Sequence, residues 1–209
     1  MSGVTFVISA PSGTGKTTVC GELLAHDSKL RFSVSHTTRN PREGEVNGQD
    51  YNFVSEDDFK KLIHADAFLE WARYAGSLYG TSFAGIEDSL KDGFDILLEI
   101  EVQGATKIRE SSFAAVFIFL LPPSMDDLGR RLRSRGTDTE EVIVNRLSEA
   151  NQEVGAASLF DYAVVNDDLR SAVESVKRII EAERSGDTTA VRTEYSVENV
   201  LPAWHASHE

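Results

Sequence analysis

The spacing of apolar positions changes several times along the chain. Val4-Thr5-Phe6-Val7-Ile8 is a nearly continuous, largely β-branched run that stops at a Gly/Ser/Pro cluster, as a strand buried on both faces does. From Thr17 to about His26 the pattern is helical. Residues 95–100, 115–121 and 162–165 are further strand-like runs, followed by helical spacing over roughly 104–110, 125–134 and 169–182. Ser124 is placed to cap the second of these helices, with Asp126 and Asp127 at its positive end. Strands alternating with helices predict βαβ units, hence an α/β fold with a mainly parallel sheet covered on both faces.

The pattern shifts between the first helix and residue 95. Residues 30–35 and 51–54 read as short strands around a polar connection, 40–49, that contains Gly and Pro. Ser55-x-x-Asp58 is a capping-box pattern opening a helix to about His64, and 68–74 is another strand. Residues 35–90 are therefore expected to form a small mixed α+β insertion with antiparallel strands, set over the strand ends of the core, 1–34 and 91–184. A module at about 126–150, rich in arginine and then acidic, predicts a helical lid with a turn at Arg135-Gly136-Thr137-Asp138. Residues 185–209 have no sustained periodicity and are expected to be mobile or loosely docked.

At 209 residues the chain suits one domain with a modest insertion, and 41% hydrophobic against 26% charged residues excludes wholesale disorder. No apolar run approaches the ~20 residues of a membrane span, and no export signal is read, so the cytoplasm is the default location. A single cysteine, Cys20, excludes an internal disulfide and a cysteine-cluster metal site, and Cys20 itself reads as a small core residue. The five histidines show no metal-ligand spacing. A net charge of −13 argues against nucleic acid or an anionic membrane as partner. Phosphates must then be bound by locally clustered positive groups.

One such cluster follows the first strand. In Ala10-Pro11-Ser12-Gly13-Thr14-Gly15-Lys16-Thr17-Thr18 the glycines let backbone N–H groups turn inward around phosphate oxygens, and the helix start adds its dipole. Lys16 supplies a point charge for the β- and γ-phosphates, and the Thr17 hydroxyl is placed for Mg²⁺. This is a P-loop, with Ala10 where the usual pattern begins with Gly.

A second cluster is Arg39-Asn40-Pro41-Arg42, a bent loop because Pro41 disfavours helical geometry at Asn40, with Tyr51 nine residues on. Two guanidiniums and a phenol suit a phosphate, though solvated loop arginines would look the same.

The stretch from Ser33-Val34-Ser35-His36 to Arg42-Glu43-Gly44-Glu45 with Gly48-x-x-Tyr51 resembles the GMP-phosphate loop of the guanylate kinase family. Phe68-Leu69-Glu70-Trp71-Ala72, Tyr79-Gly80-Thr81, Gln103-Gly104-Ala105, Arg135-Gly136 and Val165-Asn166-Asp167-Asp168 agree in order, so the resemblance spans about residues 3–183. It implies transfer of the γ-phosphoryl group of ATP to GMP, and to its deoxy counterpart, with Mg²⁺ as cofactor. Ser35, Arg39, Arg42, Tyr51 and Tyr79 would surround the GMP phosphate, while Glu70, Thr81 and Glu101 would read guanine. Guanine offers N1–H and N2–H₂ side by side, matching the two oxygens of a carboxylate; adenine lacks both donors and would leave Glu70 unpaired.

The resemblance departs at Glu99-Ile100-Glu101, where many members carry Asp-Ile-Asp, so each carboxylate reaches outward by roughly one methylene, ~1.5 Å. Glu99 would then contact Mg²⁺ through water. Lys16, Arg39, Arg131, Arg135 and Arg146 are the catalytic candidates, with Arg130 and Arg133 secondary. Some lid arginines would instead pair with Asp138, Glu140 or Glu141. Asn166 and Asp167 would be adenine-side contacts, a helix cap at Asn166 being the alternative. The expected partners are ATP and GMP, with a monomer or a homodimer both compatible. A catalytically inactive, phosphopeptide-binding relative is the other reading, and Lys16 and Thr17 count against it.

Overall fold

The computed structural model of the chain describes residues 3–74, 76–84, 86–111, 113–134, 136 and 138–207. Five parallel strands form the main sheet: β1 (Thr5–Ser9), β2 (Leu30–Phe32), β7 (Asp95–Glu99), β8 (Val116–Leu121) and β9 (Tyr162–Val165), in spatial order β2-β7-β1-β8-β9. The β-branched run seen in the sequence is thus the central strand, buried at every residue. Alternation along β1 sends Phe6 and Ile8 to one face and Val7 to the other. Helices α1 (Lys16–His26) and α7 (Leu169–Ser185) cover the first face with Val19, Cys20, Leu23, Val176 and Ile179. Helix α4 (Val102–Glu110) covers the second with Val102, Ala105 and Ile108. Burying each such aliphatic side chain contributes ~1.5–3 kcal/mol, which outweighs the weak intrinsic helix propensity of these segments.

Asp95, 1% exposed, would be costly at the start of β7 without compensation. It accepts from Val4 N–H at 2.7 Å and from the Arg184 guanidinium, which also pairs with Asp27 at 2.6 Å. The end of α7 is thereby tied to the first strands of the sheet.

Residues 36–82 build a second, mixed sheet in the order β4-β3-β6-β5 from β3 (His36–Thr37), β4 (Asn52–Phe53), β5 (Phe68–Tyr74) and β6 (Ser77–Ser82). The pairings β3·β6 and β5·β6 are antiparallel, but β3·β4 is parallel, which the expectation of antiparallel strands missed. Helix α2 (Glu56–His64) is capped as the Ser55 pattern predicts, Asp58 N–H donating to Ser55 Oγ at 3.0 Å. Its Phe59 stacks on Phe68 with centroids 4.6 Å apart, and a side chain at Gly80 would run into both rings. A short α3 (Ile86–Lys91) returns the chain to the core.

The lid consists of α5 (Met125–Ser134) and α6 (Glu140–Gly155), joined through Leu128, Leu132, Ile143 and Ala150. Ser124 caps α5 through Asp127 N–H at 2.9 Å. The turn residues Arg135 and Thr137 lie outside the described residues.

The expectation for the C-terminal segment is corrected. After Gly186 the chain forms α8 (Thr189–Tyr195) and α9 (Val197–Ala206), and Val191, Val197 and Trp204 are buried. Ser196 bridges Tyr162 in antiparallel fashion. Val191 packs into one apolar cluster and Val197 and Trp204 into the other, and with Pro202 inside α9 this leaves no helical period to read.

Candidate active site

Most of the candidate residues converge on one cleft of ≈ 730 Å³ between the two sheets and the lid. Its floor is the loop from Ala10 to Gly15, which leaves the end of β1 and turns into α1. Gly13 and Gly15 have φ of 97° and 102°, a left-handed conformation that side chains disfavour. Space is closed to them as well. A Cβ on Gly13 would lie 2.8 Å from Leu132 of the lid, and one on Gly15 2.8 Å from Asn166 Nδ2.

The loop is braced from behind. Asn166, 5% exposed, donates Nδ2–H to the Thr14 carbonyl at 2.7 Å. Arg131 donates to the carbonyls of Thr14, Asn166 and Asp167 at 3.0–3.3 Å. Neither lines the cleft itself, nor does Asp167; all three lie against the back of the loop. The cap of α7 is Asp168, which accepts from Ser171 N–H, so Asn166 is not a cap either. Sequence does not reveal which guanidinium on an arginine-rich helix faces the cleft. Here Arg131 turns to carbonyls, Arg130 pairs with Asp127 and Arg133 with Glu140, while Arg146 reaches Ser12 Oγ at 2.7 Å and pairs with Asp138. Arg135 lies outside the described residues.

On the inner side of the loop, Lys16 Nζ donates to the Ile100 carbonyl at 2.9 Å and to Glu101 at 3.2 Å. Glu101 thus meets the ammonium while also lining the cleft, where the resemblance has it at guanine or ribose. Thr17 Oγ1 donates to Glu99 at the end of β7. These are hard oxygen donors of the kind Mg²⁺ takes alongside water and phosphate. Among the described residues there is no group of three His, Cys, Asp or Glu that would form an all-protein metal cage. Thr18 lines the cleft, and Thr14 is the fully buried residue of the loop's Gly13-Thr14-Gly15 turn.

The opposite wall comes from the second sheet. Arg39 is held by Glu45 through two bonds of 2.8 and 2.9 Å, and Glu45 also accepts from Arg42 N–H. That pairing holds the Glu45 carboxyl below the usual range and raises Arg39. Arg39 lies 5.4 Å from the Tyr51 ring, which meets Tyr79 edge-on at 6.0 Å. Burial, then the Glu99 charge, pushes the Tyr51 phenol up to about 12, so it stays a hydrogen-bond donor. Arg42 and Ser35 line the same wall.

Glu70 is the buried carboxylate of this wall, 7% exposed on β5. Burial raises its pKa, opposed by the hydrogen bond from Thr81 Oγ1 at 2.8 Å and by the Lys107 charge. Thr81 is itself fully buried, its hydroxyl lying between Glu70 and Ser35 Oγ, the latter 3.5 Å away. Gly104 on α4 makes the arrangement possible: a Cβ there would lie 2.8 Å from the Glu70 carboxylate.

Several cleft residues were missed. Ala72 and Tyr74 follow Glu70 at the strand period of two, a signal the sequence did carry. Val142, Arg146 and Glu149 line the cleft at i, i+4, i+7 along α6, and only Arg146 had been singled out. Glu153, one turn further, is pushed up to about 7 by burial and by the charges of Glu101 and Glu149, with Lys16 and Ser12 N–H opposing.

A P-loop and a separate, arginine-walled acceptor pocket on one cleft define a P-loop phosphotransferase for small phosphorylated acceptors. The comparisons with known proteins agree. The family model described as guanylate kinase matches residues 2–183. A guanylate kinase from Neisseria meningitidis is 54% identical over 177 residues, covering 85% of this chain and 86% of its own. One from Geobacter sulfurreducens is 47% identical over 182 residues, covering 87% and 90%. The crystal structure of guanylate kinase from Anaplasma phagocytophilum superposes with a TM-score of 0.72 at 36% identity, covering 87% of this chain and 86% of that one. The chain belongs to the guanylate kinase family, and as such is a nucleoside monophosphate kinase acting on small-molecule nucleotides.

Proposed function

We propose that this chain transfers the γ-phosphoryl group of ATP to GMP, giving ADP and GDP, with Mg²⁺ bound alongside ATP. The observation that carries the reading is the buried carboxylate of Glu70, backed by Thr81, on the same cleft as the P-loop. A buried acceptor pair selects a ligand that presents two adjacent N–H donors and penalises one that does not. Loop N–H groups and Lys16 hold the donor phosphates. Arg39, oriented by Glu45, together with Arg42, Tyr51 and Tyr79, holds the acceptor phosphate. Arg146 brings positive charge from the lid to Ser12 of the loop. The attacking phosphate oxygen is already anionic at neutral pH, so no general base is needed, and the chain's task is positioning and charge compensation. Mg²⁺, held with Thr17 and Glu99, supplies neutralisation of charge on the transferring phosphates.

In this reading residues 35–90 are the acceptor-binding unit and 126–150 the lid, which close to exclude water from the phosphoryl group. Small-angle scattering should contract on adding GMP; unchanged profiles count against closure. The non-catalytic phosphopeptide-binding alternative is not favoured, because the P-loop retains Lys16 and Thr17 on the cleft. ADP formation from ATP and Mg²⁺, with GMP, dGMP, AMP, CMP and UMP offered separately, tests the proposal. Turnover confined to guanine acceptors supports it, and turnover with none of them, from folded protein, overturns it.

A further inference from the structure

The lid leaves the main sheet where β8 ends at Leu121 and returns ahead of β9 at Phe160. Its cleft-facing side chains Asp138, Val142, Arg146 and Glu149 are therefore joined to the main sheet through two roots. One is Pro122–Ser124, before α5. The other is the single 3-10 turn Ala156–Leu159, after α6.

Helix α9 rests on both. Trp204, 7% exposed, donates Nε1–H to the Pro122 carbonyl at 2.7 Å. Val197, Val200, Leu201 and Trp204 share one apolar cluster with Met125 at the first root and with Val154, Ala156, Ala157 and Phe160 at the second. Val197 N–H donates to the Asp161 carbonyl, and Ser196 bridges Tyr162, just past that second root. Helix α8 fastens the assembly to the body of the fold: Val191 enters the cluster under α1 and α7, and Arg178 of α7 pairs with Glu194. This segment follows the residues that match the family model, which end at 183.

A packed contact that spans two hinges fits one arrangement of them, since packed interfaces hold discrete arrangements rather than deforming smoothly. We infer that α9, through Trp204, is a positioning element of the lid: it holds the two roots in the arrangement in which Arg146 reaches the P-loop, and so sets the balance between open and closed lid. Trp204 lies outside the cleft lining and acts through the roots. The kinetic consequence rests on the phosphotransferase reading above; the conformational one does not.

Trp204→Phe keeps an aromatic ring in the cluster and deletes the N–H donor. The expected result is a ~3–10-fold change in kcat, with KM for GMP within about twofold of the parent, because the acceptor wall is untouched. Lid position is read separately from spin labels at Val144→Cys on α6 and Glu181→Cys on α7, both exposed, while Cys20 is buried. Without nucleotide, the distance distribution should broaden or shift in Trp204→Phe. Unchanged distances together with unchanged kcat overturn the inference. So does a lowered melting temperature with kinetics and distances unchanged, which assigns α9 to stability alone. A chain that turns over no acceptor in either form defeats the phosphotransferase reading, and the label distances still decide the role of α9.

Discussion

The loop between β1 and α1 is seated on a buried strand and braced at the Thr14 carbonyl by Asn166 and Arg131, whereas the loop from Arg39 to Tyr51 is seated mainly by side chains of its own. Glu45 grips Arg39 and Arg42 N–H, Asp50 accepts from Val46 N–H, and Asn47 from Phe53 N–H. Residues 40–50 are exposed at almost every position, and the strands flanking them pair over only two residues each. The first region is held by partners from elsewhere in the fold. The second has few buried contacts and opens locally at low cost. A donor phosphate chain can be met by a rigid cradle, but an acceptor that must be enclosed needs a wall able to move.

That contrast can be broken most severely at the cradle. Lys16→Met should lower kcat by ~10³-fold with little change in melting temperature, since it removes charge stabilisation that the transition state needs. A loss below tenfold in single-turnover assays would show that the loop backbone alone suffices. On the opposite wall, Glu70→Gln should cost ~10²-fold in kcat/KM for GMP, because one carboxylate acceptor becomes a donor facing a donor. The same variant should gain stability at neutral pH. A carboxyl whose folded pKa is raised holds more protons folded than unfolded, so ionising it on the way to neutral pH destabilises the fold. Equal GMP kinetics for Glu70→Gln and the parent would remove Glu70 from guanine recognition.

Glu45→Ala frees Arg39 without touching the cradle. KM for GMP should rise ~10-fold while KM for ATP stays within twofold, which separates the two walls kinetically. If both constants rise together, the walls are coupled and the contrast is too sharp. The smallest effect belongs to Glu153, whose folded pKa of about 7 lies above the ordinary carboxylate value. The stability of the parent should therefore decline as pH rises between about 4.5 and 7. Glu153→Gln should be the more stable protein at pH 8 by on the order of 1 kcal/mol, after allowance for solvent screening, and the difference should vanish near pH 4 in thermal melts.

The central strand and the cradle were legible in the sequence because their requirements are local: β-branched residues for a strand buried on both faces, and glycine where φ is positive and neighbours crowd in. β6 was not legible. Its Ser77, Gly80 and Ser82 are weak strand formers that mask Leu78, Tyr79 and Thr81, and a Cβ at Gly80 would crowd the Phe59 and Phe68 rings at 3.0 Å. The same limit explains Arg131. Its position on a basic helix is readable, but the three carbonyls it meets come from residues 14, 166 and 167 and become neighbours only in the folded chain. The helices after Gly186 escaped for a related reason, since Trp204 is anchored by a carbonyl 82 residues earlier.

The order β2-β7-β1-β8-β9 also governs how the chain assembles. β1 is synthesised well before its partners, which both come from residues 95–121, with the whole second sheet made in between. Its hydrogen-bonding edges and five buried positions must wait for them, and pairing across such sequence distances is slow. During that interval the most apolar segment at the N-terminus is an unsatisfied template for other chains, so refolding yield should fall with protein concentration well before the native state shows any tendency to aggregate.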